Sequence, residues 1–539
     1  MHRPAPRYRA IQLQLPPKRN RHVQTLLSSL WPGLGQLASG ARRSGLFLAL
    51  PPFVVVALAL AALASPDRVA RLAELLDPGV IAAVLVLELV FLAWRLGAVA
   101  DAFRRGDGAI RARAAGLTAI GLVFVIVPSV YAAYLTEIAR EAALDVFSAV
   151  EQPWQPTGGR TPDRLIPDDD LGPGTVVFSP PPSLGRFTVL LIGVDSGPGR
   201  STALTDSMII ASLDPVAESV SMISVPRDMV DVPLPGGGSF RPKINSLMAY
   251  ANNHPSAFPG APSGEAVLAA TLGQLLGVQV DGWAMVNLPG FVRVVNSIGG
   301  IDITVHRGFC DAGYREYGMN GFAILPGRYH FDGDAALAYA RVRHALTEND
   351  FTRAGRQEEI VVAARDRVAS GGFLANPAEF LTAMGQLVKT SLPPSALIDF
   401  IEPATHVTRD HVYRQVIQPP LVHSSPGDPR GSIQVPDLLG IHKLGVAAFP
   451  PAGTLPVGVA TIPPDDGGAT TSKLPPVNCA VAPTITPAPT LAPKPSPTPL
   501  PTDTPVPTDT PAPTITPKPG GGPTPSPDPT AAPADSSAP

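Results

Sequence analysis

A mixed α/β domain held outside a membrane by about three hydrophobic spans, with an extended Pro/Thr-rich tail behind it, is the architecture this sequence predicts. Three observations carry that prediction. Apolar runs at about 45–65, 79–100 and 115–135 each have the length needed to cross a ~30 Å hydrocarbon core. Between 186 and 450, β-branched runs alternate with stretches of helical periodicity, the pattern of a mixed sheet covered by helices. Beyond about 480, repeats such as PTDTP cannot build a core and read as a disordered, polyproline-like extension.

Taken in order, residues 1–44 form a basic tail with a Gly/Pro-broken helical stretch at 25–38, read as interfacial or re-entrant. Arg3, Arg7, Arg9, Lys18, Arg19 and Arg21 should keep this tail in the cytoplasm. In the membrane region, 45–135, Glu88 and Arg95 interrupt the second span; Arg95 can snorkel and Glu88 should face other helices. Loop charges favour an in–out–in–out path, which places everything after 135 outside the cell membrane. A polar stalk, 136–185, opens with the helical start TEIAREAALDVF. The globular segment then spans 186–450 and the tail 451–539.

Bulk properties exclude some functions. A net charge of -3 argues against a general nucleic-acid binder. Cys310 and Cys479 are the two cysteines, in no metal-binding spacing. Two free thiols are the expectation, with one extracytoplasmic bridge as the alternative.

Inside the globular segment, Phe187–Val194 is a continuous apolar run, as for a strand buried on both faces. It ends at Asp195 and a Ser-Gly-Pro-Gly turn. Runs at 207–213 and 219–225 flank Asp214-Pro215 and read as a hairpin. Helices are expected at 263–276, 351–369 and 377–389. Ala338–Arg343 (AYARVR) alternates with period two, and as a strand it would set Tyr339, Arg341 and Arg343 on one face. On the helix that follows, Arg353, Arg356, Gln357 and Ile360 share one side near the N-terminus, where backbone N–H groups favour phosphate. Asp195 and Asp206 suit a hard cation, and Arg227 follows the next strand. Lys243, in RPKINS, is a further polar candidate, whereas Asp302 reads as structural. Together these groups point to chemistry on a phosphorylated molecule at a membrane surface.

The ordered segments LLIGVDS, LTDSMIIASLDP, VSMISVPRD, RPKINSLMAYA, FVRVVNSIGGIDITV, LAYARVRH and DFTRAGRQEEIV resemble the LytR–CpsA–Psr family over roughly 186–370, with a looser likeness to 450. The resemblance implies an α/β/α sandwich that holds a polyprenyl-pyrophosphate lipid. It also implies transfer of the attached glycopolymer, as its sugar-1-phosphate, to peptidoglycan or another wall acceptor, with Mg²⁺ or Mn²⁺. By motif position, Arg227, Arg341, Arg343 and Gln357 would hold the pyrophosphate. Asp195 and Asp206 would organise the metal and, with Arg227, form the catalytic set; Asp350, Arg353 and Arg356 would complete the mouth. The lipid tail needs an apolar groove, which helix 263–276 is expected to line. One departure stands out: the family usually has arginine two places before the second aspartate, and here that residue is Leu204, with Arg200 or Arg186 as the candidate substitutes. Two other functions remain open at this point, a polyprenyl pyrophosphatase and a non-catalytic lipid-binding or envelope-anchoring protein.

Overall fold

Phe187–Asp195 forms the strand its apolar run predicts; we call it β1, and it lies inside the main sheet. The computed structural model describes residues 20–64, 77–106, 112–155, 171–172, 184–195, 204–316, 318–343, 345, 348–396, 403–404, 406–462 and 468–479. All of these fall in one unit, Met1–Ile485. The basic tail before residue 20, loop 65–76, the Ser-Gly-Pro-Gly turn, Arg200 and the Pro/Thr repeats lie outside the described residues.

The N-terminal helices are α1 (Arg21–Leu30), α2 (Leu34–Ala38), α3 (Arg42–Leu63), α4 (Pro78–Arg105) and α5 (Ala112–Val146). The stretch expected at 25–38 is thus a helix pair broken at Pro32-Gly33, and Gly33 takes a positive φ of 94° in the break. Of the three expected spans, two, α4 and α5, are long and apolar enough to cross a membrane by length and composition among the described residues. Glu88 accepts a hydrogen bond from Thr136 of α5 at 3.1 Å. Arg95 does not simply reach for an interface: its guanidinium donates to the Ser29 carbonyl of α1 at 3.0 Å.

Helix α5 has 35 residues, ~50 Å at ~1.5 Å per residue, more than a bilayer core requires. The helical start TEIAREAALDVF is therefore continuous with the third apolar run rather than separate from it. Its distal end packs on α11 (Pro377–Leu387), where a Cβ on Gly385 would come within 2.6 Å of the Ala142 Cα. Glycine is needed there because the two backbones meet.

The globular part begins with β1, β2 (Leu204–Asp214) and β3 (Ser219–Ser224), consecutive antiparallel neighbours, so the hairpin at Asp214-Pro215 is present. After α6 (Leu247–Asn253) and α7 (Gly264–Leu276) come β4 (Gly282–Asn287) and α8 (Leu288–Ser297). A smaller sheet and hairpin follow: β5 (Ile301–Val305), β6 (Phe309–Asp311), β7 (Phe322–Ile324) and β8 (Gly327–Phe331). The chain closes with α9 (Gly333–Arg341), α10 (Asp350–Ala369), α11, β9 (Val388–Thr390), β10 (Val412–Val416), α12 (Leu438–Ala448), β11 (Ala460–Thr461) and β12 (Thr470–Thr471). Among the described residues the main sheet has seven strands in the order β9-β4-β1-β2-β3-β10-β11, with β1/β4 and β3/β10 parallel and the other pairs antiparallel.

Strand alternation divides the core into two layers. Leu190, Ile192, Met208, Ile210 and Ile223 pack against α6, α7 and α12. On the other face, Ile209, Leu213 and Met222 meet Val362 of α10. The result is a helix–sheet–helix sandwich, the expected class. It puts α7 on the face away from α10, where its side chains are spent on the core.

Two expectations fail for long-range reasons. Cys310 of β6 and Cys479 form a disulfide, not two free thiols, because β12 pairs with β8 and brings the C-terminal segment back across the small sheet. For the same reason ordered structure extends to residue 479 rather than stopping near 450.

Candidate functional site

Ala338–Arg343 is not a strand. Asp332 caps the N-terminus of α9 by accepting from the Ala335 N–H at 2.8 Å, and the alanine-rich sequence that follows favours helix. Period-two polarity across six residues was overridden by this cap and the helical run beyond it. Arg341 consequently ends α9, while Arg343 lies past the Val342 C-cap.

Arg341 is the hub of the site. Its guanidinium lies 3.2 Å from Asp206, 3.6 Å from Asp195 and 2.8 Å from Glu316. Asp206 also takes Arg227 at 2.5 Å. Arg227 stands 3.8 Å from Asp228, which pairs with Lys243 at 2.9 Å. Asp195 reaches this point from the end of β1, where a bulge between Gly193 and Val194 shifts the register against β2. Gly193 allows the close approach, since a Cβ there would sit 3.0 Å from that of Ser207. The structure thus brings Asp195, Asp206, Arg227, Lys243 and Arg341 into one network.

Helix α10 supplies the rest. Asn349 caps it, accepting from the Phe351 and Thr352 N–H groups, with Thr352 completing a capping box. In the first turns Arg353 is buried and pairs with Asp350 at 3.0 Å. Gln357 donates to the Ala340 carbonyl at 3.3 Å. Arg356 turns elsewhere: it grips Glu348 and the Val342 carbonyl, donates to Tyr339 O at 2.7 Å, and lies 4.5 Å from the Phe309 ring centroid. It locks α9 to α10 and faces a second, polar cavity beside Glu358, Glu359 and Arg414.

Electrostatics follow from burial. Burial lowers the Arg353 pKa, with Asp350 opposing and Arg227 adding repulsion. Burial also disfavours charge on Arg227, yet Asp206 outweighs it and the net shift is upward. The Nε of Arg353 is buried without an acceptor among the described residues. A buried donor left this way is costly unless an acceptor from outside the chain, water included, meets it.

Beneath this polar mouth lies an apolar cavity of about 350 Å³. Asp206, Arg341, Arg353 and Gln357 rim it, and its walls include Leu191 and Ile209 of the sheet, Phe291 and Val294 of α8, and Ile360 and Ala364 of α10. Helix 263–276 (α7) does not line it, because it packs on the other side of the sheet. The missed wall, α8, carried a readable signal: Leu288, Phe291, Val294 and Val295 recur at helical spacing. Glu316, from the β6–β7 loop, carried no such signal. Leu204 begins β2, and Arg186 cannot stand in for an arginine there, being buried at the other end of the strand against Asp214 at 3.1 Å.

Two carboxylates converging on one guanidinium also fit a hard divalent cation that completes its shell with water and phosphate oxygens. Among the described residues no cluster of three or more ligating side chains forms a fully protein-built metal site.

Residues 170–422 match the LytR_cpsA_psr family. A relative named polyisoprenyl-teichoic acid–peptidoglycan teichoic acid transferase TagU, from Halalkalibacterium halodurans, is 31% identical over 207 residues, 38% of this chain and 61% of the relative. Biofilm regulatory protein A of Streptococcus mutans is 26% identical, over 39% of this chain and 51% of its own. Among solved structures, the LytR-CPS2A-psr family protein YwtF (TagT) with bound octaprenyl pyrophosphate lipid is similar at 20% identity and a TM-score of 0.35, covering 51% of this chain and 94% of that one. The chain spans about three fifths of the length of its TagU relatives.

Proposed function

With residues 170–422 forming a LytR–CpsA–Psr domain, we propose that this protein is a membrane-anchored phosphotransferase that moves a glycopolymer from a polyprenyl-diphosphate carrier to a cell-wall acceptor such as peptidoglycan. The observation that carries this reading is the joined pair of environments: an apolar cavity suited to a lipid tail, opening at a polar, arginine-bearing mouth where the buried Arg353 Nε lacks an acceptor among the described residues. The names of the TagU relatives favour the same class of reaction.

In this reading the prenyl chain occupies the groove between α8, α9 and α10, and the diphosphate lies against Arg227, Arg341, Arg343, Arg353 and Gln357. Asp195 and Asp206 would hold Mg²⁺ or Mn²⁺, which would supply neutralisation of charge on the diphosphate oxygens. A hydroxyl of the acceptor attacks the sugar-side phosphorus. The new P–O bond forms as the bond to the bridging oxygen breaks, and polyprenyl phosphate departs with the electron pair. The hydroxyl proton passes to a carboxylate of the acidic set, Asp195 or Asp206. Arg341 and Arg353 stabilise charge on the leaving phosphate, which is most of what a protein contributes to phosphoryl transfer. Three membrane crossings with a cytoplasmic N-terminus would present the domain on the outer face, where a substrate that stays in the bilayer can reach the groove.

The test is a polyprenyl-diphosphate donor labelled in its sugar, incubated with Mg²⁺ with and without peptidoglycan. Label entering the wall polymer, lost in Arg341→Ala, supports transfer. Release of labelled sugar phosphate with no labelled wall would mean that water is the acceptor and the protein a pyrophosphatase. Neither product, with labelled donor still bound, would mean a lipid-binding protein.

A further inference from the structure

Arg341 is held by three carboxylates, and the firmest hold comes from one outside the acidic pair. Glu316 engages two of its nitrogens, Nε at 2.8 Å and Nη2 at 3.2 Å, whereas Asp206 offers one contact at 3.2 Å and Asp195 a looser one at 3.6 Å. The Nη2 contact is a hydrogen bond and the Nε contact a close ion pair, so the carboxylate meets the guanidinium along one edge and resists its rotation. The loop that delivers Glu316 is itself braced. It joins the antiparallel strands β6 and β7, its backbone closes through Met319 N–H to Glu316 O at 3.0 Å and Gly321 N–H to Tyr314 O at 2.8 Å, and the Cys310–Cys479 bond ties its first strand to the C-terminal segment. Val477 of that segment packs directly over Gly321.

This arrangement matters because Arg341 and a divalent cation compete for the same two aspartates. If Asp195 and Asp206 were Arg341's sole partners, loading the cation would strand a half-buried guanidinium without a counter-charge, at a cost to both. Glu316 removes that conflict by giving Arg341 a partner independent of the aspartates. We infer that Glu316 is a positioning residue that retains Arg341 at the cavity mouth and thereby leaves Asp195 and Asp206 available to a divalent cation. The inference rests on the reading of the site given above.

Mn²⁺ is the probe, with free and bound ion counted by electron paramagnetic resonance on the full chain in detergent micelles. Wild type binds Mn²⁺, and Asp206→Asn abolishes the binding. Glu316→Ala weakens it about tenfold, the scale of one charge-assisted hydrogen bond; the isosteric Glu316→Gln, checked for a wild-type melting curve, falls between. In an Arg341→Ala background the Glu316 substitutions have no further effect, because the residue acts through the guanidinium. Unchanged Mn²⁺ affinity in both Glu316 variants overturns the inference while leaving the cation site standing. An equal loss in the Arg341→Ala background also overturns it, since Glu316 would then act on the ion directly. If wild type and Asp206→Asn are alike in binding no Mn²⁺, the cation reading falls and the inference falls with it.

Discussion

Glu358 offers a quantitative check on how α10 is held. Its carboxyl is almost wholly buried, accepts a 2.7 Å hydrogen bond from the Ser224 hydroxyl of β3, and faces Arg414 of β10 and, on its own helix, Glu359. Burial, with a smaller push from Glu359, outweighs Ser224 and Arg414 and raises its pKa to about 7 from an ordinary 4.5. The sign follows from linkage. Below about pH 4.5 the group is protonated folded and unfolded alike, so it adds no pH dependence. Above that, the unfolded chain releases the proton while the folded chain keeps it, and stability falls until the folded group ionises near pH 7. The loss totals about 3 kcal/mol, at ~1.4 kcal/mol per pH unit. Glu358→Gln keeps an oxygen to accept from Ser224 but cannot ionise. The full chain in detergent should therefore match the variant near pH 4.5 and melt roughly 5–10 °C below it at pH 8, given the usual relation between stability and melting temperature for a domain of this size. Melting curves of both proteins at half-unit pH steps give the difference directly. Parallel curves across pH 5 to 7 would refute the argument, because they would mean the folded carboxyl is already ionised.

Other consequences follow from the same contacts. Asp206→Asn removes the shared partner of Arg227 and Arg341 and should lower wall-transfer rate by about 100-fold or more, read by labelled transfer at saturating Mg²⁺. Arg353→Ala should weaken donor-lipid binding by about 10–100-fold while leaving the melting temperature within a few degrees, measured by competition with a labelled polyprenyl diphosphate. Ala364→Trp fills the apolar cavity and should abolish binding of long-chain diphosphates yet spare a short-chain analogue; equal loss of both would contradict the assignment of the groove. Cys310→Ser with Cys479→Ser opens a link spanning 169 residues and should cost roughly 2–5 kcal/mol of stability, seen as a lower melting temperature that reductant no longer changes.

Much of this protein was legible in one dimension because the forces that shape those parts act locally. The apolar run of β1 can be solvated nowhere but inside a sheet, and Asp214-Pro215 turns the chain wherever it occurs. Ser263, Asn349 and Asn376 mark the starts of α7, α10 and α11 at or within a residue of where spacing put them. Asp195, Asp206, Arg227, Lys243 and Arg341 could be named from sequence, and the structure brings them into one network. Local pattern misled at AYARVR, where the Asp332 cap, six residues upstream of the alternation, decided for helix. What the folded chain alone decided is which charges meet. Arg356 and Arg353 are three residues apart on one helix, yet one locks α9 and the other faces the cavity. Arg186 is spent on Asp214, α7 on the far core, and Glu316 and Cys479 arrive from segments whose spacing carries no trace of their partners. Spacing reports periodicity within an element, whereas the partner of a buried charge is set by which elements the packing of the core brings edge to edge.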